Sequence, residues 1–75
     1  MTRYLNYGGS SDVAAYEAGL DYIKVQLRNG ELYTFTYGRP GAYHVEQMKL
    51  LARRGTGLDQ YLNNQVRHQY ALKSR

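Results

Sequence analysis

Residues 22–37 read YIKVQLRNGELYTFTY and decide the fold. In residues 22–28, apolar and polar side chains alternate strictly, which is the period of a β-strand with one buried face. Residues 32–37 alternate again and are rich in aromatic and β-branched side chains, which favour strands. Asn29 and Gly30 stand between the two runs and both tolerate positive φ, a strong signal for a tight turn between paired strands. The stretch therefore predicts a β-hairpin.

Two registers of this hairpin are compatible with the sequence. With a two-residue turn, Gln26 lies opposite Tyr33, and one face shows aromatic side chains among basic ones, a surface that can stack bases and neutralise phosphates. With a three-residue turn and Gly30 in a bulge, Val25 lies opposite Tyr33 and the aromatic side chains join the core. We favour the second register because it separates apolar from polar side chains better and buries more aromatic surface. The aromatic platform of the first register comprises Tyr33, Phe35 and Tyr37, with Tyr22, Lys24 and Arg28 around it.

The residues before the hairpin give weaker signals. Residues 1–11 end in a Gly-Gly-Ser-Ser run and are expected to form a flexible N-terminal segment, although the sequence also allows Tyr4, Leu5 and Tyr7 to fold back onto the domain. Residues 12–18 are compatible with a helix capped by Ser11 or Asp12 and equally with a strand that ends at the following turn. Local propensity mildly prefers the helix.

Two helices are predicted after the hairpin. Val45, Met48 and Ala52 share one face at helical spacing, and residues 53–55 (RRG) are typical of a helix C-terminus. Thr56-x-x-Asp59 resembles a capping box at the start of a second helix. The last residues, 71–75, are expected to fray. The apolar stripe of the second helix consists of Leu58, Tyr61, Leu62, Val66 and Tyr70.

Length and composition limit the possible functions. The 75 residues are enough for one domain with a small core, and the chain has no cysteine. It therefore has no disulfide and no thiolate ligand for zinc. A chain of this size leaves little room for a deep substrate cavity. Because no signal peptide is recognisable after Met1, we expect a cytoplasmic protein.

Basic residues are concentrated in the second half of the chain. Up to Gly38, three basic residues meet four acidic ones, a net charge of −1; from Arg39 onward, seven meet two, a net charge of +5. This asymmetry favours an anionic partner, such as nucleic acid or an acidic protein surface. It is also compatible with an ordinary solvated surface.

No residue pattern indicates catalysis. The six carboxylates are scattered, and no motif pairs them for acid–base chemistry. His44 and His68 fall in separate predicted helices and are expected to be solvated there; without cysteine or a His-x-x-x-His spacing, no metal site is predicted. We therefore predict a protein that is not an enzyme and has no cofactor. No apolar run is long enough to predict a membrane span.

Four stretches give the chain a resemblance to a known family. They are residues 11–17 (SDVAAYE), residues 23–30 (IKVQLRNG), residues 33–35 (YTF), and Asn63-x-x-Val66-Arg67-x-x-Tyr70. From about residue 11 to residue 70 the chain resembles the KTSC domain, which is named for its occurrence at the C-terminus of some lysyl-tRNA synthetases. Three features depart from the family pattern. Phe35 replaces the second tyrosine of a Tyr-x-Tyr motif, Arg39 replaces a valine before Pro40, and the segment 55–57 is longer than usual.

The resemblance implies a fold and suggests a function. It implies that residues 12–18 form a strand, so that residues 12–75 make a single α+β domain. This domain would be a three-stranded antiparallel β-meander followed by two helices packed on one face. It also implies a stand-alone bacterial or phage protein. The family has no established activity; RNA binding is a suggestion attached to it, and Phe35 would take any role of the tyrosine that it replaces.

Charge and resemblance together predict a small non-enzymatic binding module. The leading hypothesis is that it binds RNA or other nucleic acid through a basic helical surface. The alternative is a protein–protein interaction module, such as a phage-encoded regulator or inhibitor of a host protein. A homodimer is also compatible with the sequence, because a three-stranded meander has two open edges. The candidate partner-binding residues are Arg53, Arg54, Arg67, His68, Lys73 and Lys49, with Lys24 and Arg28 from the hairpin.

Overall fold

The chain folds into an antiparallel sheet with helices on one of its faces. A computed structural model of the protein describes residues 1–7, 12–66 and 68–74. Within these residues the strands form one sheet in the order β1-β2-β3-β4-β5. The predicted α+β class is confirmed, but the three predicted strands are fewer than the five observed. The elements are β1 (Thr2–Arg3), β2 (Val13–Ala18), β3 (Tyr22–Leu27), β4 (Leu32–Thr36), α1 (Ala42–Arg54), α2 (Leu58–Tyr61), a π-helical turn (Leu62–Val66) and β5 (Leu72–Ser74).

The β3–β4 hairpin adopts the register with a three-residue turn. Val25 lies opposite Tyr33 and Ile23 opposite Phe35. Gly30 has φ 94°, and the Leu27 N–H donates to the Glu31 carbonyl at 2.8 Å. The favoured register is therefore confirmed, and the aromatic side chains of β4 turn toward the helices together with the aliphatic side chains of β3.

Residues 13–18 form a strand, although local propensity prefers a helix there. This strand, β2, pairs with β1 on one side and β3 on the other, and such tertiary pairing outweighs the small propensity difference. A bulge between Val13 and Ala15 shifts the register, so that Val13 lies opposite Leu27. Val13 thereby faces the core and is fully buried.

Both edges of the central meander are covered by other parts of the same chain. The two-residue strand β1 pairs with β2, and β5 pairs with β4. The expectation that residues 71–75 fray is therefore wrong for Leu72–Ser74. Residues 2–4 likewise belong to the folded unit, since Tyr4 is buried in the core, whereas residues 8–11 of the expected flexible segment lie outside the described residues. The edges of the described sheet are therefore β1 and β5, and not the edges of β2 and β4 on which the homodimer prediction depended.

Helix α1 packs on the sheet through the predicted apolar face. Val45, Met48 and Ala52 are all buried, and the helix ends at Gly55, whose left-handed conformation (φ 79°) allows its N–H to bond the Leu51 and Ala52 carbonyls. The predicted helix and its C-terminus are thus confirmed. The buried apolar core consists of Tyr4, Val13, Ile23, Val25, Phe35, Val45, Met48, Ala52, Leu58 and Val66.

The second helix is shorter than predicted and begins differently. Its N-cap is Gly57, which makes no side-chain cap bond, so the predicted capping box is wrong. The hydroxyl of Tyr4 instead accepts a hydrogen bond from the Leu58 N–H at 3.2 Å. The helical segment continues as a π-helical turn, Leu62–Val66. His68 lies in a turn after it, and Tyr70 lies in neither a helix nor a strand.

Candidate nucleic-acid interface

Lys49 is removed from the predicted basic surface by two hydrogen bonds. Its side chain is only 8% exposed, and its Nζ donates to Glu46 Oε2 at 2.9 Å and to the Leu20 carbonyl at 3.1 Å. The Tyr37 hydroxyl donates to the same carboxylate oxygen at 2.6 Å. The hydrogen bonds from Tyr37 and then Lys49 hold the pKa of Glu46 below its ordinary value. Lys49 thus ties α1 to the β2–β3 turn and is not available to a ligand.

Lys73 is also compensated within the protein. It lies in β5, where its Nζ is 2.9 Å from Glu31 Oε2 and 5.4 Å from the centre of the Tyr33 ring. Hydrogen bonding to Glu31 raises the pKa of Lys73, and the pKa of Glu31 is lowered first by Lys73 and then by Asn29. The ammonium group stabilises the pairing of β5 with β4. Its position off the helical layer separates it from the other predicted cations.

Arg53 and Arg54 occupy the last turn of α1, as predicted, and both are exposed. Neither lies in an ion pair within the part of the chain that the structure describes. Arg53 Nε donates to the Lys49 carbonyl at 3.3 Å. The two charges complement the partial negative charge at the helix C-terminus, which accounts for part of their role. Their exposure also leaves them accessible to an anionic ligand.

The N-terminal segment brings an exposed tyrosine to the same end of α1. The Tyr7 N–H donates to the Gly55 carbonyl at 2.7 Å. A Cβ placed on Gly55 would lie 2.9 Å from Leu5 Cβ and from Tyr7 Cδ2, so glycine permits this close approach as well as the left-handed turn. The Tyr7 side chain remains 73% exposed. An exposed aromatic ring is therefore held against Gly55, which directly follows the two arginines in the chain.

We call these residues the α1-end surface: Leu5, Tyr7, Leu50, Arg53 and Arg54. Leu50 lies one helical turn before Arg54, on the same side of α1, and is 48% exposed; Leu5 is 56% exposed. The sequence identified the arginines and allowed Tyr7 to fold back, but it did not place Tyr7 in the site, because the glycine-rich residues that follow it carry no signal for where the segment returns.

The remaining predicted site residues do not join this surface. Lys24 lies on the sheet face opposite the helices, over the ring of Tyr22 at 5.8 Å, and Arg28 is exposed at the hairpin turn. His68 is exposed in the turn after the π-helical segment, where its carbonyl accepts a hydrogen bond from Arg39 at 3.5 Å. Arg67 lies outside the described residues.

The predicted aromatic platform does not exist as an exposed surface. Phe35 is 1% exposed and belongs to the core. Tyr33 is half-buried, with its ring centre 6.3 Å from that of Phe35 and 5.1 Å from that of Tyr70. Tyr37 alone is exposed, and its hydroxyl is engaged by Glu46. The platform is not exposed because the observed register directs the rings of Tyr33 and Phe35 toward the core.

His44 is not the solvated residue that the sequence predicted. It is half-buried, and its Nδ1 lies 2.6 Å from the Tyr61 hydroxyl. Burial, with a smaller effect of Tyr43, raises the pKa of Tyr61. The pair of His44 and Tyr61 joins α1 to α2.

Within residues 1–7, 12–66 and 68–74, no group of three acidic, histidine or cysteine side chains is placed to hold a metal ion.

Comparisons with known proteins leave the resemblance as a prediction. Within the described chain, no helix has the length and apolar character needed to cross a membrane. Searches against protein-family models, curated proteins and solved structures found no significant match. Membership of the KTSC family therefore stays a prediction that rests on the residues quoted above.

Proposed function

We propose that this chain is a small non-enzymatic module that binds single-stranded RNA or a similar nucleic acid through the α1-end surface. The observation that supports the proposal is the contact of exposed Tyr7 with Gly55, the residue that directly follows exposed Arg53 and Arg54 in the chain. The suggestion of RNA binding attached to the KTSC domain is in keeping with it. A cytoplasmic location is part of the same proposal.

The chemistry of the surface suits one or two nucleotides of a flexible strand. Arginine guanidinium groups bond phosphate oxygens in a planar, bidentate fashion and keep their charge at all physiological pH values. An exposed tyrosine ring offers a stacking face to an unpaired base, and such stacking contributes about 1–3 kcal/mol per base. Double-stranded nucleic acid does not present its bases in this way, which favours single strands.

The proposed site is smaller than the basic helical surface predicted from the sequence. Lys49 and Lys73 each contact a carboxylate and bring no net charge to a ligand. Among the described residues, the two arginines at the end of α1 therefore account for the phosphate contacts at this surface. Affinity from two such contacts is modest and strongly dependent on salt.

An NMR titration with a mixed-sequence single-stranded RNA at low ionic strength tests the proposal. We expect shifts of the resonances of Tyr7, Leu50, Arg53 and Arg54, and reversal of the shifts on addition of salt. Duplex RNA of the same sequence serves as the control and is expected to bind more weakly. Shifts confined to the outer face of the sheet, or no binding at low salt, would contradict the proposal.

A second candidate function is supported by the apolar part of the same surface. Leu5 and Leu50 are about half-exposed next to Tyr7 and the arginines. Aromatic and arginine side chains are typical anchors of protein interfaces, and exposed leucines add apolar contact. The partner would be a protein with an acidic surface, such as a host protein regulated by a phage product. A Leu50→Ser variant distinguishes the two functions, since loss of the exposed leucine would weaken an apolar protein contact much more than RNA binding, which depends on Tyr7, Arg53 and Arg54.

A further inference from the structure

The face of α1 that points away from the sheet carries a stripe of side chains at heptad spacing. Tyr43, Gln47, Leu50 and Arg54 follow one another at intervals of four, three and four residues. Residues at these intervals lie on one side of a helix, and in coiled coils they form the contact between two helices. The outer side of a surface helix ordinarily carries polar residues. Tyr43 and Leu50 are nevertheless exposed there, and we call these four residues the outer stripe of α1.

Glu46 and Arg53 lie along one flank of the outer stripe. The carboxylate of Glu46 is about half-exposed, and its Oε2 accepts a hydrogen bond from the Tyr37 hydroxyl at 2.6 Å. This bond holds the exposed ring of Tyr37 against the same flank, where it adds apolar surface. Arg53 follows two helical turns after Glu46, and within the described residues it is in no ion pair. The flank therefore has an acidic end and a basic end.

The outer stripe and its flank are complementary to a second copy of themselves in the antiparallel direction. The midpoint between Glu46 and Arg53, and that between Tyr43 and Arg54, both fall within about two residues of Leu50, or about 3 Å along the helix axis. A two-fold axis near Leu50 therefore brings the acidic end of each flank to the basic end of the other. It also brings the ring of Tyr43 to the guanidinium group of Arg54 in the second copy. A contact between identical chains about a two-fold axis requires such a self-complementary surface.

We propose that the outer stripe of α1 is the contact of a weak antiparallel homodimer. Leu50 packs near the two-fold axis, Glu46 pairs with Arg53 of the second copy, and Tyr43 stacks on its Arg54 in a cation–π contact. A parallel arrangement is disfavoured, because it would place equal charges opposite each other. The occupant of this face is therefore a second copy of the chain, and the contact does not use the edges of the sheet.

The length of α1 limits the strength of the dimer. The helix has 13 residues and is about 20 Å long. A contact along one such helix is expected to bury less than about 1,200 Å², the range of weak and transient complexes. We therefore expect association at high protein concentration and monomers in dilute solution. The dimer goes beyond the proposed RNA binding and competes with it, since both use Leu50, Arg53 and Arg54.

Sedimentation equilibrium without RNA tests the dimer. About 0.15 M salt reduces the repulsion between two chains that each carry a charge of +4. We expect the weight-average mass to rise from that of one chain, 8.7 kDa, toward twice that mass as the protein concentration approaches about 1 mM. A mass that stays at that of one chain throughout this range would overturn the proposal.

The face that associates is identified by two leucine variants. Leu50→Asp places a carboxylate of each copy near the two-fold axis, and we expect it to weaken association by roughly tenfold or more. Leu72→Asp is the matched control, because Leu72 is an exposed leucine in β5 and the substitution changes the net charge equally. Leu50 is exposed, so its substitution is expected to leave the fold intact, which circular dichroism checks. Equal association of the two folded variants would overturn the proposal.

A charge exchange tests the antiparallel direction. Arg53→Glu and Glu46→Arg each place equal charges opposite one another in their own homodimers, and both should associate more weakly than the wild type. In a mixture of the two variants every such pair is again attractive, so association should recover. Glu46→Arg also loses the contact with Lys49. If it does not fold, a mixture of Arg53→Glu with the wild type replaces it and should associate more tightly than Arg53→Glu alone. No gain in either folded mixture would overturn the proposal.

The failure of the dimer and the failure of RNA binding are distinguishable. The sedimentation experiments contain no RNA, so a monomeric protein contradicts the dimer and leaves the proposed function untouched. If both proposals are right, single-stranded RNA dissociates the dimer, because the two ligands compete for Leu50, Arg53 and Arg54. A dimer that passes the leucine and charge tests but does not respond to bound RNA would support the dimer and move the RNA contact to another surface.

Discussion

Lys49 and Arg54 lie five positions apart on the same helix but have opposite environments. Lys49 is buried, and its ammonium group holds Glu46 and the carbonyl of Leu20. Arg54 is exposed and directly precedes Gly55, which the tyrosine of the N-terminal segment contacts. Both count equally toward the formal charge of +4. The comparison shows that net charge measures how many cations a chain has, whereas the fold determines which of them can reach a ligand.

The largest expected effect comes from removing the buried cation. Lys49→Met keeps the aliphatic stem but loses the charged hydrogen bonds, which are worth about 1.5–3 kcal/mol to a folded protein. For a domain of this size we expect Tm to fall by roughly 6–24 °C, measured by circular dichroism. Binding to RNA below the transition is expected to stay unchanged.

The control for that substitution is Lys24→Met, on the outer face of the sheet. Lys24 makes a cation–π contact with Tyr22, and we expect a stability change of about 0.5 kcal/mol or less, as for other surface positions. If both lysine variants lower Tm equally, Lys49 has no special structural role and its assignment as an internal tie is incorrect.

A second, smaller effect concerns the aromatic part of the α1-end surface. Tyr7→Ala removes the proposed stacking platform, and since one stacked base contributes about 1–3 kcal/mol, RNA affinity should fall by roughly 5- to 150-fold. Tyr43→Ala is the matched control, because Tyr43 is similarly exposed, at 71%, but lies at the start of α1. Equal losses in the two variants, by fluorescence anisotropy with labelled RNA, would show that the ring of Tyr7 is not specific to the site.

The smallest effect is expected where Lys73 meets Glu31. The pKa of Glu31 is lowered in the folded protein, so the stabilisation from this pair is fully present above the ordinary glutamate pKa of about 4.3. It is lost as the pH falls through the lower folded value. We expect the amide resonances of residues 71–74 to shift during acidification, because the Ala71 N–H donates to the Thr34 carbonyl beside β5.

Glu31→Gln provides the control for the acid transition. This variant should lack the transition in residues 71–74 while the rest of the spectrum titrates as before. Because the pair is partly exposed, salt should weaken its effect. If the amide shifts of residues 71–74 have the same amplitude and midpoint in Glu31→Gln, the acid transition arises from another carboxylate.

The sequence predicts the parts of the fold that depend on local periodicity. The hairpin and its register were predicted correctly from the alternation in residues 22–37. Helix α1 was predicted correctly from the helical spacing of Val45, Met48 and Ala52. In each case one arrangement buries the apolar side chains best. Strands β1 and β5 were missed. They have two and three residues with exposed side chains, so they carry no periodic signal, and their place is set by the free edges of β2 and β4.

The candidate site was less predictable than the fold for a related reason. Arg53 and Arg54 follow from a helix end that the sequence marks clearly. Tyr7 reaches them only through the return of the N-terminal segment to Gly55, a contact between residues far apart in the chain. The same kind of long-range contact, from Tyr4 to Leu58, replaced the predicted capping box. Single-sequence patterns contain no information on such pairs.

The salt dependence of single-stranded RNA binding tests the central claim most directly. Arg53→Gln with Arg54→Gln removes two charges from the α1-end surface, and Lys24→Gln with Arg28→Gln removes two charges elsewhere. Each phosphate contact on a single strand contributes about 0.7 to the slope of log K against log salt concentration. We predict that the arginine pair at the end of α1 reduces the slope by about 1.4, while the hairpin pair leaves it nearly unchanged. Equal reductions in both double variants, or no reduction in the first, would contradict the account.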